Sequence, residues 1–141
     1  LLDLSKTSIA NEAFKNQKSQ RKINDIIHPA ISDLILERIN DKKKSHTLFV
    51  IDAALIIESG VFKKHRESGS KLILISADKD SRLQRALERS NLSEQTINDR
   101  MKLQMKDSEK IKHVDYVIEN NSTKSELYNS VDKIIKTIMH E

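Results

Sequence analysis

Arg85 and Arg89 lie four residues apart, an interval that puts two guanidinium groups on one face of a helix. Arg100 and Gln104 repeat the interval farther on. Planar guanidinium donors match phosphate oxygens, so two such helices could close over a phosphoryl group and neutralise the charge that builds during its transfer. The same arginines could equally form an exposed ion-pair face with Glu88. Asp52 follows the apolar run Leu48-Phe49-Val50-Ile51. A carboxylate there could accept a substrate hydroxyl, orient a metal-bound water, or cap a helix. Glu58 has the same choice between ligand contact and a solvated helix position. Asn120-Asn121-Ser122 lie just beyond the run Tyr116-Val117-Ile118, where their amides could read an adenine edge or form a plain cap and turn. His28, just before Pro29, reads by itself as a turn histidine.

Three short apolar runs supply the frame for these side chains: Leu48–Ile51, Leu72–Ile75 and Tyr116–Ile118. They are unbroken rather than alternating, the pattern of strands buried on both faces of a parallel sheet. In such a sheet ligands bind beyond the carboxyl ends of the strands, where Asp52 and Asn120 stand. Between the runs the spacing predicts helices over Asp80–Arg89 and Glu94–Gln104, the second capped by Ser93. Thr123 with Glu126 predicts a capping box that opens a last helix, with the stripe Leu127, Val131, Ile134, Ile135 and Ile138. Toward the amino end, Ile9, Ala13, Phe14 and Ile23 give a weak helical pattern. His28-Pro29 is expected to interrupt it, because the residue before a proline is pushed out of the helical region. A new helix is expected from Pro29, with Ile31, Leu34, Ile35 and Ile39 on one face, ending in the solvated Lys42-Lys43-Lys44 connector. The order predicts an α/β fold whose sheet is thin for its class.

Composition narrows the function. The 141 residues include no cysteine, so disulfides and thiolate metal sites are excluded and a reducing cytoplasm is the natural compartment. No apolar run approaches the ~20 residues that span a bilayer. A net charge of +4 suits an anionic partner, but the charges are scattered and aromatics are only 4% of residues, which argues against nucleic acid. Two glycines and one proline leave no glycine-rich phosphate cradle anywhere. Nothing in the pattern specifies an oligomeric state.

Taken in order, these blocks resemble the dephospho-CoA kinase family along essentially the whole chain. That family has a His-Pro between helices, here His28-Pro29. It has a strand ending in Asp before Pro-Leu-Leu-Phe-Glu, matched by Asp52 and Ala54-Leu55-Ile56-Ile57-Glu58. Its arginines four apart, then Ser-Glu, Arg and Gln, fall on Arg85, Arg89, Ser93-Glu94, Arg100 and Gln104. It closes on Ala-Asp-x-Val-Ile-x-Asn, matched by Val114-Asp115-Tyr116-Val117-Ile118-Glu119-Asn120. The chain departs from the pattern at Lys6, at Ala54, in the longer connection 63–70, and after Gln104, where Met105-Lys106-Asp107 replace a tyrosine-proline.

The resemblance implies a P-loop-type three-layer α/β/α fold with a parallel sheet and a nucleotide-kinase-like helical lid, incomplete at the amino terminus. It implies ATP-dependent phosphorylation of the ribose 3′-hydroxyl of dephospho-CoA, with Mg²⁺ accompanying ATP, and with the phosphate loop and general base upstream of Leu1. Arg85 and Arg89 would contact ATP phosphates and the transferring group, and Asn120 would lie near adenine. His28, Pro29, Asp52, Leu55, Glu58 and Gln104 would shape the dephospho-CoA side. The chain would be one domain fragment: 1–45 as helical CoA-side region, 46–78 as strands and connection, 79–106 as lid helices, 107–141 as last strand and helix. Another nucleoside or nucleotide kinase, or a non-catalytic basic module binding RNA or protein, are the alternatives.

Overall fold

The computed structural model describes residues 6–13, 15–42, 48–66 and 69–141. Phe14, Lys43-Lys44 and residues 67 and 68 of the connection lie outside them. The chain forms two compact units, Leu1–Val61 and Phe62–Glu141.

The first unit contains α1 (Lys6–Ala13) and α2 (Gln17–Lys42), which pack together and leave Ala13 buried. Asn16 separates them. Its side-chain oxygen accepts the Ser19 N–H at 2.9 Å and its carbonyl accepts from Gln20 N at 3.0 Å, so it caps α2. The expected interruption at His28-Pro29 does not occur, because α2 runs through Pro29. Proline withdraws one backbone donor at a cost of about 3 kcal/mol in a helix interior. Ile23, Ile27, Ile31 and Leu34 keep one helical phase across it, with the last three left exposed. After α2, the run Leu48–Ile51 forms no strand, contrary to expectation. Apolar side chains do not make a strand; a neighbouring backbone must pair its N–H and C=O groups. Val50 accordingly stays 72% exposed. Residues 54–59 then coil through a turn in which Ser59 N bonds the Leu55 carbonyl and Gly60 N bonds the Ile57 carbonyl, both at 3.0 Å. Gly60 closes it at φ 71°, a left-handed conformation that side chains with a Cβ resist.

The second unit follows the order α3 (Phe62–Arg66), β1 (Ile73–Ser76), α4 (Lys79–Arg89), α5 (Glu94–Leu103), α6 (Asp107–Lys110), a 3₁₀ turn (Ile111–His113), β2 (Tyr116–Glu119) and α7 (Lys124–His140). The strands pair in parallel, with Ile73 opposite Tyr116 and Ser76 opposite Glu119. The crossover helices α4 and α5 pack on each other, and α7 packs on β2. Two strands therefore form where three were expected among the described residues. Burial on both sheet faces is also incomplete: Ile118 is 3% exposed, but Ile75 and Val117 are 51% and 40% exposed. Ile97 on α5 and Phe62 on α3 join Ile118 as the buried apolar residues, with the Phe62 ring tilted against His113 at 5.6 Å. Ser93 caps α5 by accepting from Thr96 N, and the Thr123–Glu126 capping box forms as the sequence predicts.

Asp115 ties the segments that lead into the sheet. One carboxylate oxygen takes the Arg66 guanidinium, and the other takes the Leu72 N–H at 2.7 Å. At the same end of the sheet, Glu141 accepts from Lys71 and from the Tyr116 hydroxyl. Those contacts hold the Glu141 carboxyl below its usual range, first through the Lys71 hydrogen bond. The same contacts push the Lys71 ammonium and the Tyr116 phenol up.

Candidate functional site

Parallel pairing brings the carboxyl ends of β1 and β2 to one edge, and the loops leaving them are laced together. Asn120 N donates to the Ser76 carbonyl at 2.8 Å, extending the ladder beyond the strands. Asp78, the residue before α4, donates its N–H to the Asn121 side-chain oxygen at 2.8 Å. Arg85 reaches from the second turn of α4 and donates Nη1 to the Asn120 carbonyl at 2.8 Å. Arg85 and Asn120, singled out separately in the sequence, are thus in direct contact.

Arg89 follows one turn later on the exposed side of α4. The ion-pair face anticipated with Glu88 does not form. Gln84 donates to Glu88 at 3.1 Å, and among the described residues no salt bridge joins Glu88 to either arginine. Without an ion pair to Glu88, the guanidinium of Arg89 and the remaining N–H groups of Arg85 could meet an anion. Arg82, which shares the helical phase of Arg85 and Arg89, pairs with Asp107 of α6 at 3.6 Å. Arg100 is half-buried on α5, and Gln104 caps the end of that helix through its N–H to the Met101 carbonyl at 3.2 Å.

Below the Asn120 loop, Glu126 is held below the usual carboxylate range, foremost by the Ser122 hydroxyl and then by the N–H and hydroxyl of Thr123. These bonds fix the entry to α7 and so the level of the loop above it.

In the first unit, His28 is half-buried and Pro29 exposed, both in the middle of α2. Asp52 is exposed in the extended stretch before the turn, while Leu55 and Glu58 are half-buried within the turn. Among the described residues no group of three or more His, Cys, Asp or Glu could hold a metal ion. No helix there is long and apolar enough to cross a membrane. An open trough lined by Lys133, Lys136, Thr137, His140 and Glu141 lies at the far end of α7 from the Asn120 loop.

Chemically, the second unit offers one helix-borne guanidinium bonded to a backbone-braced polar loop at the carboxyl edge of a parallel sheet, with a second guanidinium one turn farther along the same helix. That arrangement suits a nucleotide phosphate chain better than a metal or an apolar ligand. The sequence offered Asn121 as an adenine reader or turn residue and not as a tie between these loops, and it gave no role to Asp115, which ties the opposite, amino ends of the strands. Asn and Asp beside a strand read as local turn formers, and here their partners lie 43 residues away.

A sequence profile of the dephospho-CoA kinase family matches residues 3–126. The dephospho-CoA kinase of Aquifex aeolicus (strain VF5) is 32% identical over 139 residues, covering 99% of this chain and 68% of its own length. That of Helicobacter pylori (strain J99) is 29% identical over 136 residues, covering 96% and 68%. Among solved structures, the dephospho-CoA kinase from Campylobacter jejuni superposes with a TM-score of 0.60 at 26% identity, over 99% of this chain and 70% of that one.

Proposed function

This chain belongs to the dephospho-CoA kinase family, and from that premise we propose that it transfers the γ-phosphoryl group of ATP to the ribose 3′-hydroxyl of dephospho-CoA. The product is coenzyme A, and the reaction is the final step of its biosynthesis. The protein is a kinase with a P-loop-like α/β fold, and ATP is its phosphate donor. The observation that carries the reading is the family match along nearly the whole chain, joined to the Arg85–Asn120 contact at the sheet edge.

In the transfer, the 3′-oxygen bonds to the γ-phosphorus, the bond from that phosphorus to the β–γ bridging oxygen breaks, and ADP leaves. The hydroxyl proton passes to a base. The described residues of this chain act on the charge. Arg89 and the free N–H groups of Arg85 stabilise the equatorial oxygens as negative charge spreads over them. The Asn120 loop lies along the adenine. His28, Pro29, Asp52, Leu55, Glu58 and Gln104 serve the dephospho-CoA side. Mg²⁺ comes with the ATP phosphates as part of that substrate; the described residues do not fit a resident metal. The sequence holds no glycine-rich phosphate cradle, and it spans 68% of the length of the Aquifex aeolicus relative. The cysteine-free sequence suits a cytoplasmic setting.

The test is turnover by the intact enzyme with Mg-ATP against dephospho-CoA, adenosine and nucleoside monophosphates. Phosphorylation of dephospho-CoA alone is expected. Preference for a nucleoside or monophosphate would reassign the substrate, and salt-sensitive RNA binding without turnover would replace the enzyme reading altogether.

A further inference from the structure

We propose that Asn121 is a positioning residue for ATP: its side-chain oxygen, by holding the Asp78 N–H, sets α4 against the loop that carries Asn120. The inference rests on the reading that α4 and this loop receive ATP.

Asp78 occupies the position before the first turn of α4, yet its side chain makes no capping hydrogen bond. Its carbonyl accepts from Arg82 N at 2.9 Å, which starts the helix, but nothing in the helix itself fixes the direction of that start. The fixing group comes from the other strand. Asn121 Oδ1 meets Asp78 N–H at 2.8 Å across a separation of 43 residues. Two further ties join the same parts, Asn120 N to the Ser76 carbonyl and Arg85 Nη1 to the Asn120 carbonyl. The first is backbone on both sides and the second uses an arginine assigned to the phosphates. Asn121 is therefore the side chain that joins helix and loop without being one assigned to the phosphates.

The consequence is geometric. Arg85 and Arg89 ride on α4, so a change in its entry angle moves both guanidinium groups relative to the Asn120 loop. ATP, bound to both parts, feels the change; a substrate bound elsewhere does not. Small displacements at such sites are felt strongly in rate and affinity.

The experiment uses the intact enzyme and three proteins: parent, Asn121→Leu, which keeps the shape but loses the acceptor, and Asn121→Asp, which keeps an oxygen acceptor. Asn121→Leu is expected to raise the KM for ATP by about five- to tenfold, the loss of one hydrogen bond. The KM for dephospho-CoA should stay within about twofold. Asn121→Asp should return the ATP value to within about threefold of the parent, the acceptor being restored. If Asn121→Leu does not fold, Asn121→Ala carries the same expectations. An unchanged KM for ATP in the Leu variant overturns the proposal. So does an equal rise in both KM values, with a lowered melting temperature and no recovery in Asn121→Asp, which is the signature of a merely structural residue. A parent that turns over another acceptor defeats the dephospho-CoA reading alone. A parent that turns over nothing defeats the kinase reading and this inference together.

Discussion

Arg85 and Arg89 share a helix face but not a situation. Arg85 has one nitrogen committed to the Asn120 carbonyl, whereas Arg89 is exposed and makes no such bond. Both should matter to the transferring group. In the intact enzyme, Arg85→Ala and Arg89→Ala are each expected to lower kcat by about a hundredfold or more, with a much smaller change in dephospho-CoA binding. Steady-state kinetics with separate titration of both substrates checks this, and unchanged turnover in both variants would return the arginines to a surface role. Arg85→Ala should in addition raise the KM for ATP, because it releases the Asn120 loop. The four-residue interval was legible in the sequence because helical periodicity alone fixes it. The partner was not. The acceptor of Arg85 is a backbone carbonyl 35 residues on, and a carbonyl leaves no trace in residue identity. Glu88 was the visible candidate partner, but Gln84, one turn before it, is the residue that binds it.

At the scale of elements, local chemistry was readable wherever it was self-contained. Ser93 and the pair Thr123–Glu126 need only residues within one turn, and both caps form as read. Thr123→Ala should destabilise the second unit by about 1 kcal/mol, measured by chemical denaturation. The pH dependence has a definite sign. The folded Glu126 carboxyl lies below its ordinary value of 4.5, so its contribution is complete above that value and is lost as pH falls through the lowered one. Glu126→Gln should remove that part of the acid-side loss of stability, and an identical pH profile in parent and variant would contradict it. Elements that depend on neighbours were read less well. Leu48–Ile51 has the composition of a strand, but strand formation needs a paired backbone, which composition does not report. His28-Pro29 carries a local stop signal, yet α2 runs through it while Ile27, Ile31 and Leu34 stay exposed, so burial of an apolar face does not account for the continuation. The short helix α6 and the following 3₁₀ turn escaped notice because four and three residues leave no period to detect.

On the scale of the whole molecule, the sequence holds only two glycines, Gly60 and Gly69, neither in a phosphate-loop pattern, and spans 68% of the Aquifex aeolicus relative. Arginines without a phosphate cradle and a base give little transfer. Residues 1–141 purified alone are therefore expected to leave dephospho-CoA unphosphorylated under conditions where the intact enzyme turns over. Detectable coenzyme A from the isolated piece would contradict that. The order of blocks along the chain made the family legible, since it survives changes such as Ala54 that blur any single motif. The long-range ties of the second unit carry a consequence in time. Arg66 and Leu72 wait for Asp115, Asp78 waits for Asn121, and Arg85 waits for Asn120. During synthesis from the amino end, α4 and α5 are therefore complete before the strand and loop that tie them to the sheet exist. The late arrival of residues 115–121 closes all four links at once. Joining ends some 43 residues apart costs about 3 kcal/mol in chain entropy. The first link to form bears that cost and the other three follow with little more, so the second unit is expected to assemble in one late event rather than by stages.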